Sequence, residues 1–204
     1  MNLPNILTVG RILMTPFFII FLFYDHPYAK AWALCIFVIA MLTDIYDGYY
    51  ARKHNLVTDY GRFLDPLADK VMILSALISF AVINVIPFWM VAIIIFRDVF
   101  VTGLRTVMSS KNMVMVTSKI AKRKTLTQVL IIIFILLNLG SVSLPISWIG
   151  DFLQFSRQYQ LIYYLTLSVT IFTIFTGFTY LYTNRAVIRQ FIRSEEHTSE
   201  LQSQ

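Results

Sequence analysis

Five aspartates lie within one short stretch of an otherwise apolar chain, at positions Asp44, Asp47, Asp59, Asp65 and Asp69. Carboxylates beside hydrocarbon are unfavourable unless they are paired or bind a cation. Oxygen ligands suit hard divalent cations such as Mg²⁺, Mn²⁺ or Ca²⁺. Two such ions held about 3.5–4 Å apart clamp the oxygens of a phosphoryl group during displacement. These residues therefore predict a metal-assisted phosphoryl-transfer site.

Two helical faces place four of these acids together. The first face carries Asp44, Asp47, Gly48 and Ala51, and the second carries Gly61, Asp65 and Asp69. Residues three or four apart share one side of a helix, and a short loop makes consecutive helices antiparallel neighbours. We therefore expect four carboxylates to converge on two cations, beside small residues that allow close approach. The alternative is a structural ion-pair network with Arg52, Arg62 and Lys70, which would not explain why acids and glycines share faces.

The composition indicates that the elements carrying these residues lie in lipid. The 204 residues are 57% hydrophobic and only 14% charged, whereas soluble domains average about 25% charged residues. This excludes an ordinary soluble enzyme, a disordered chain and a free-standing nucleic-acid-binding domain. The net charge of +6 is typical of loops that face anionic lipid. The single cysteine, Cys35, allows neither an intramolecular disulfide nor a thiolate metal cluster.

Six apolar segments are long enough to span a bilayer, which takes about 20 residues each. They cover residues 6–24, 28–52, 62–86, 88–108, 118–140 and 159–183, with a connector at 141–158. Residues 2–11 are predicted to form a short interfacial helix. The expected fold is all-α and integral to the membrane, a bundle of six transmembrane helices with a short N-terminal interfacial helix.

Basic residues predict the orientation of this bundle. With the N-terminus in the cytoplasm, most lysines and arginines fall at the inner ends of the spans, and only Lys30 and Arg157 fall near the outside. This asymmetry follows the positive-inside rule. The even number of spans then puts both termini, and the active site, on the cytoplasmic side of the cell membrane.

The end of the chain differs from the rest in composition. All three glutamates, Glu195, Glu196 and Glu200, lie in a polar segment that reads like a translated adapter sequence. We interpret residues 193–204 as a non-native polar tail and residues 1–190 as one transmembrane domain.

Eight positions at fixed spacing resemble the signature of the CDP-alcohol phosphotransferase family. They read Asp44-x2-Asp47-Gly48-x2-Ala51-Arg52-x8-Gly61-x3-Asp65-x3-Asp69, with no departure at any signature position. The resemblance implies that an alcohol attacks a CDP-linked lipid, here CDP-diacylglycerol, and releases CMP. It implies two divalent cations, Mg²⁺ or Mn²⁺, held by the four signature aspartates, with Asp69 also acting as general base. Members of this family are often homodimers, so we expect a homodimer.

The resemblance also implies where the nucleotide-lipid binds. It places seven residues along the CDP-lipid: Asn5, Thr8, Gly48, Ala51, Arg52, Thr58 and Gly61. Arg52 is suited to the phosphates, Thr58 occupies a polar loop position, and Asn5 and Thr8 lie where the N-terminal segment approaches the nucleotide.

A second group of charges bears on the acceptor alcohol. Arg97 interrupts an apolar run, and an arginine at that depth needs a partner or a wet cavity. With Arg105 and Lys124 it could form a cationic pocket for a phosphorylated alcohol. Residues 97–105 resemble the same segment of bacterial phosphatidylglycerophosphate synthases, although Asp98 stands where those more often carry Glu. This implies sn-glycerol 3-phosphate as acceptor, with its phosphate held by Arg97, Arg105 and Lys124. Asp98 is expected to point to another side of the helix, and it is assigned no catalytic role.

Several alternatives remain open. Arg97 could pair with an aspartate of the cluster, and the basic run at 122–124 could be positive-inside charge only. The acceptor could be inositol phosphate or serine. From another class, the acids could form the transport site of a divalent-cation channel or carrier, but such a site belongs near the membrane midplane, and these acids crowd one end.

Overall fold

The computed structural model describes the backbone of residues 3–54, 59–111, 113, 119–140 and 160–191, and the side chains of residues 9–43, 46, 70–111, 113, 123–140 and 160–191. Within these ranges the chain is helical apart from short turns and contains no strand. Its long helices are α1 (Leu3–Phe23), α2 (Ala29–His54), α3 (Asp59–Val82), α4 (Phe88–Ser110), α5 (Lys119–Gly140) and α6 (Leu161–Thr183). The prediction of an all-α fold is confirmed.

All six helices are long enough to cross a membrane, and two of them are also apolar enough over the described residues. Helices of 21 to 26 residues are about 32–39 Å long, and the hydrocarbon layer is about 30 Å thick. Two segments of the described chain are long and apolar enough to cross it, Arg123–Gly140 and Leu161–Thr183. Shorter apolar stretches occupy Val9–Phe23, Ala29–Thr43 and Lys70–Val82.

The expected interfacial helix is not a separate element, so that part of the prediction is wrong. Residues 3–11 form the first turns of α1, which runs without a break to Phe23. Pro4 lies in the first turn, where a missing N–H is tolerated, and no proline or turn sequence follows until Pro16. Arg11 is only 1% exposed, so the bundle packs around this part of α1.

The helices pack as a bundle with α3 and α5 in central positions. α1 packs on α2 and α3, α2 packs on α5, α3 packs on α4 and α5, and α6 packs on α4 and α5. Phe18 and Phe37 are fully buried, and their ring centroids, 5.9 Å apart, join α1 to α2. In the first turn of α2, the chain of α5 comes close enough that a Cβ on Gly140 would lie 3.6 Å from the backbone nitrogen of Ala31.

A tight reversal places α4 antiparallel to α3. After Val82 the chain turns through Asn84, whose φ of 59° is left-handed and is a conformation that asparagine tolerates. The N–H of Val85 donates to the carbonyl oxygen of Phe80 at 2.9 Å, and Pro87 precedes the first turn of α4. This reversal brings the middle of α4 beside the middle of α3.

Threonines line the buried face of α6. Thr166, Thr170, Thr173 and Thr176 are all at most 3% exposed. The hydroxyls of Thr166, Thr170 and Thr176 donate to carbonyl oxygens of α6 itself at 2.7–2.9 Å. Such small side chains let neighbouring helices approach closely, and of these four hydroxyls only that of Thr173 has no hydrogen-bond partner among the described residues.

The outer faces of the helices are apolar. Large exposed hydrophobic side chains recur along α1 and α6, namely Leu13, Phe17, Ile20, Ile171, Phe175 and Phe178. Apolar surface of this extent marks a membrane or protein contact. These faces are suited to lipid.

The close approach at Gly140 makes a testable prediction. Gly140→Leu should destabilise the bundle by about 1–3 kcal/mol, because the side chain must push α5 away from the backbone of α2. Gly140→Ala should be tolerated, since its Cβ would make only ordinary contacts at 3.6–3.7 Å. Thermal unfolding in detergent micelles measures both.

Gly103 on α4 provides the control, because a Cβ there would have nothing within 4 Å. Gly103→Leu should unfold at the wild-type temperature. If Gly140→Leu and Gly103→Leu destabilised the protein equally, the described packing of α5 on α2 would be contradicted.

Candidate active site

Asp98, near the middle of α4, is the centre of a buried polar cluster. Asp98 is only 5% exposed. One carboxylate oxygen, Oδ1, accepts hydrogen bonds from Nζ of Lys124 and, at 3.3 Å, from Nη1 of Arg97. The other, Oδ2, accepts from Nε2 of Gln128 at 3.3 Å. One carboxylate therefore holds two cations and an amide.

α5 supplies two of these partners from one face. Lys124 and Gln128 are four residues apart, so they lie one above the other on the helix. They are 2% and 1% exposed, whereas Arg123 and Leu126 between and beside them are exposed. The basic run at 122–124 is therefore not uniform, because Lys124 points into the bundle.

α3 reaches the same cluster through Lys70. Its Nζ donates to the backbone carbonyl oxygen of Asp98 at 2.9 Å and also to Oγ1 of Thr102. Thr102 in turn donates to the Asp98 carbonyl at 2.7 Å. Because Lys70 directly follows Asp69 in α3, the cluster lies at the level of the last signature aspartate.

The Arg97 side chain extends from α4 toward α6, and two of its three guanidinium nitrogens have no hydrogen-bond partner among the described residues. Its side chain is 13% exposed and passes over Gly177, where a Cβ would lie 3.2 Å from Cγ and 3.6 Å from Nε. Nη1 donates to Asp98, but Nε and Nη2 are buried and have no hydrogen-bond partner among the described residues. Buried donors without partners are rare and unfavourable.

The cluster carries a surplus positive charge. Lys124 and Arg97 share the single carboxylate of Asp98, and Lys70 adds a third cationic side chain to the cluster, so cations outnumber carboxylates here among the described residues. Charge in a poorly hydrated site is costly unless an opposite charge joins it. An oxyanion is the ligand that would supply both the missing charge and acceptors for the free guanidinium edge.

Arg105 lies outside this cluster. It is exposed, and its guanidinium carbon lies 5.7 Å from the centroid of the Tyr180 ring. Eight residues separate it from Arg97, which is about 12 Å along a helix. Of the three residues predicted to hold the acceptor phosphate, the structure brings Arg97 and Lys124 together and leaves Arg105 apart.

The predicted metal and nucleotide ligands have side chains outside the described residues. The backbone places Asp44, Asp47, Gly48, Ala51 and Arg52 in α2, Gly61, Asp65 and Asp69 in α3, and Asn5 and Thr8 in α1. Thr58 falls outside the described backbone, as does the segment at 193–204. Their roles, and the ion-pair alternative with Arg52 and Arg62, stay predictions.

Sequence reasoning missed the central role of Asp98. Adjacent helical residues point about 100° apart, so Asp98 was not expected to meet Arg97, yet the long arginine side chain curves back to it at 3.3 Å. The available signal was the buried acid itself, which lies in an apolar run. The spacing of Lys124 and Gln128 was a second signal for a partner on α5.

The fold and the signature define a class of membrane-embedded transferase. The chain belongs to the CDP-alcohol phosphatidyltransferase family, whose pattern matches residues 1–174. The resemblance seen in the signature is therefore confirmed.

Relatives in this family carry a more specific name. A Bacillus subtilis protein is 41% identical over 67% of this chain and 77% of its own length. A Cereibacter sphaeroides protein is 38% identical over 68% of this chain and 65% of its own length. A Rickettsia bellii protein is 32% identical over 88% of this chain and 93% of its own length. Each is named CDP-diacylglycerol–glycerol-3-phosphate 3-phosphatidyltransferase.

The buried ion pair predicts an effect on stability. Lys124→Met should destabilise the protein by about 1.5–3 kcal/mol, the range for loss of a hydrogen bond to a charged group. Arg123→Met removes the same charge from an exposed neighbour and should change stability by less than about 0.5 kcal/mol. Thermal unfolding in detergent measures the difference, and equal effects would show that Lys124 is not paired in the bundle.

Proposed function

We propose that this protein transfers the phosphatidyl group of CDP-diacylglycerol to sn-glycerol 3-phosphate. The acceptor hydroxyl oxygen forms a bond to the lipid phosphorus, the pyrophosphate P–O bond breaks, and CMP leaves. The products are phosphatidylglycerol phosphate and CMP. The observation that carries this proposal is the family match over residues 1–174, together with relatives at 32–41% identity that bear this enzyme's name.

Four aspartates are suited to hold the divalent cations of this reaction. Asp44 and Asp47 lie in α2, and Asp65 and Asp69 lie in α3, as their helical spacing requires. An all-carboxylate donor set fits Mg²⁺ or Mn²⁺. When bound, such ions neutralise the phosphate charge that builds up during displacement.

Asp69 is the proposed general base. An alcohol becomes a nucleophile when a carboxylate within hydrogen-bond reach accepts its proton. Asp69 is the signature aspartate farthest along α3, and the next residue, Lys70, donates to the backbone of Asp98. The base would thus lie at the same level of the bundle as the cationic cluster that we assign to the acceptor.

The Asp98 cluster supports a phosphorylated acceptor. The excess of cationic side chains around Asp98 favours an anion such as a phosphomonoester, which carries about −1.5 to −2 charge at pH 7. Serine would bring a carboxylate of one negative charge, together with an ammonium group that these cations would repel. Inositol phosphate also carries a phosphate, and the names of the relatives favour glycerol 3-phosphate over it. Because Arg105 lies outside the Asp98 cluster, it would contact the acceptor on its way to the cluster rather than hold the bound phosphate.

The nucleotide end of the lipid would lie along the N-terminal helices. Gly48, Ala51 and Gly61 would let the CDP moiety approach the backbone, Arg52 would contact its phosphates, and Asn5, Thr8 and Thr58 would supply polar contacts. These assignments rest on the signature positions and on their placement in α1, α2 and α3.

We propose that all six long helices span the cell membrane and that the protein is a homodimer. The excess of basic residues at one end of the bundle supports cytoplasmic termini and a cytoplasmic active site. The apolar outer faces of α1 and α6 support burial in lipid.

The reaction makes a direct prediction. Purified protein in detergent with Mg²⁺ or Mn²⁺ should release CMP from CDP-diacylglycerol when sn-glycerol 3-phosphate is present, and chelation of the metal should stop release. Inositol phosphate and serine, tested in turn, should support little release. Cation flux through proteoliposomes without nucleotide turnover would instead favour a carrier.

Asp69→Asn tests the proposed base. This variant should still bind CDP-diacylglycerol, but kcat should fall by about 10²–10⁴-fold, the usual effect of losing a general base. Asp59→Asn provides the matched control, because Asp59 lies in the same stretch but not at a signature position. Full activity of Asp69→Asn would exclude Asp69 as the base.

A further inference from the structure

We propose that Asp98 is a positioning residue for the acceptor. In this proposal its carboxylate fixes Arg97 and Lys124 so that the Nε and Nη2 edge of Arg97 is presented to the acceptor's phosphate. The inference rests on the proposed function, and it assigns to Asp98 a role that neither the signature nor the relatives' names supply.

The geometry of the guanidinium carries the first step. A guanidinium offers its donors in a fixed plane, and two neighbouring N–H groups bind two oxygens of a phosphate at once. Nη1 of Arg97 donates to Oδ1 of Asp98 at 3.3 Å. The other pair, Nε and Nη2, forms the side edge of the group and is the pair that is buried without a partner among the described residues. One edge is anchored, and the other is buried beside Gly177 and lacks an acceptor among the described residues.

The second step is the rigidity of the anchor. Asp98 is held by donors from α5 through Lys124 and Gln128, and its backbone carbonyl is held by Lys70 from α3. Donors from α5 therefore fix the carboxylate, and a donor from α3 fixes the backbone that carries it. Groups that must grip a ligand in one geometry bind better when a second set of bonds holds them.

The third step is the space that α6 leaves for Arg97. Gly177 lies against the aliphatic stem of Arg97, and even one added carbon would be 3.2 Å from Cγ. That distance is tighter than ordinary contact, so the stem must shift. Gly177 and Asp98 therefore constrain the same side chain from its two ends.

Positioning and simple electrostatics predict opposite effects for Asp98→Asn. Removing a negative charge should strengthen phosphate binding if Asp98 acts only through its charge. If Asp98 positions Arg97 and Lys124, phosphate binding should weaken. A purely structural role would reduce the active fraction, which lowers Vmax but leaves KM unchanged.

The experiment is steady-state kinetics of the purified full chain, with CMP release followed against each substrate in turn. For Asp98→Asn, KM for sn-glycerol 3-phosphate should rise about tenfold or more, as for loss of a charge-assisted hydrogen bond, while KM for CDP-diacylglycerol should change by less than about twofold. Asp98→Glu keeps the charge and should recover part of the loss.

Gly177→Ala keeps the test decisive if Asp98 variants fail to fold. It alters no charge, and it should raise KM for sn-glycerol 3-phosphate by about fivefold or more because a small displacement of a binding group is costly. Gly103→Ala, where a Cβ meets nothing within 4 Å, should match the wild type in both KM values.

The outcomes separate this inference from the proposed function. If the wild type uses sn-glycerol 3-phosphate but both Asp98→Asn and Gly177→Ala keep its KM within about twofold, or if Asp98→Asn lowers it, the positioning role is wrong and the function stands. If the wild type releases no CMP with sn-glycerol 3-phosphate, the proposed function fails and this role fails with it.

Discussion

The middle of this bundle depends on one buried carboxylate that is shared by two cations. Asp98 binds Lys124 and Arg97 and accepts a further bond from Gln128, so α4 and α5 cannot separate or change register without exposing unpaired charge to hydrocarbon. Such breakage is strongly unfavourable, whereas an intact pair adds little net stability. The pairing therefore acts as a constraint on geometry more than as a source of stability, and the packing of α3 and α6 is arranged around it.

Most of the fold could be predicted because apolar runs and their interruptions are local properties. The ends of α5 and α6, for example, lie within two residues of the predicted spans. The interfacial helix was wrong because α1 continues without a turn through Gly10, the one residue between Asn5 and Arg11 of a type that commonly ends helices. The site was predicted unevenly. Arg97 and Lys124 were chosen from their charge, but Asp98 was set aside because helical angles describe Cβ directions and not the reach of a long side chain.

The two halves of the proposed active site have opposite charge and are joined through consecutive residues of α3. Asp69 belongs to the acidic signature, and Lys70 binds the backbone of Asp98. A shift of α3 would therefore move both halves together. For a reaction that joins a lipid phosphorus to the hydroxyl of a phosphorylated alcohol, this coupling would keep the two substrates in a constant relation, which is where much of the rate of a two-substrate reaction originates.

The distribution of polar groups between α4 and α6 has a consequence for how the chain is built into the membrane. Three of the four buried threonines of α6 satisfy their hydroxyls within the helix, so most of its buried polar groups need no partner from another helix. α4 is different, because Asp98 gains Lys124 and Gln128 only after α5 has been synthesised. Because the carboxylate of Asp98 gains these partners only when α4 and α5 pack together, we expect the two helices to be stabilised as a pair during insertion, whereas most buried hydroxyls of α6 need no neighbouring helix.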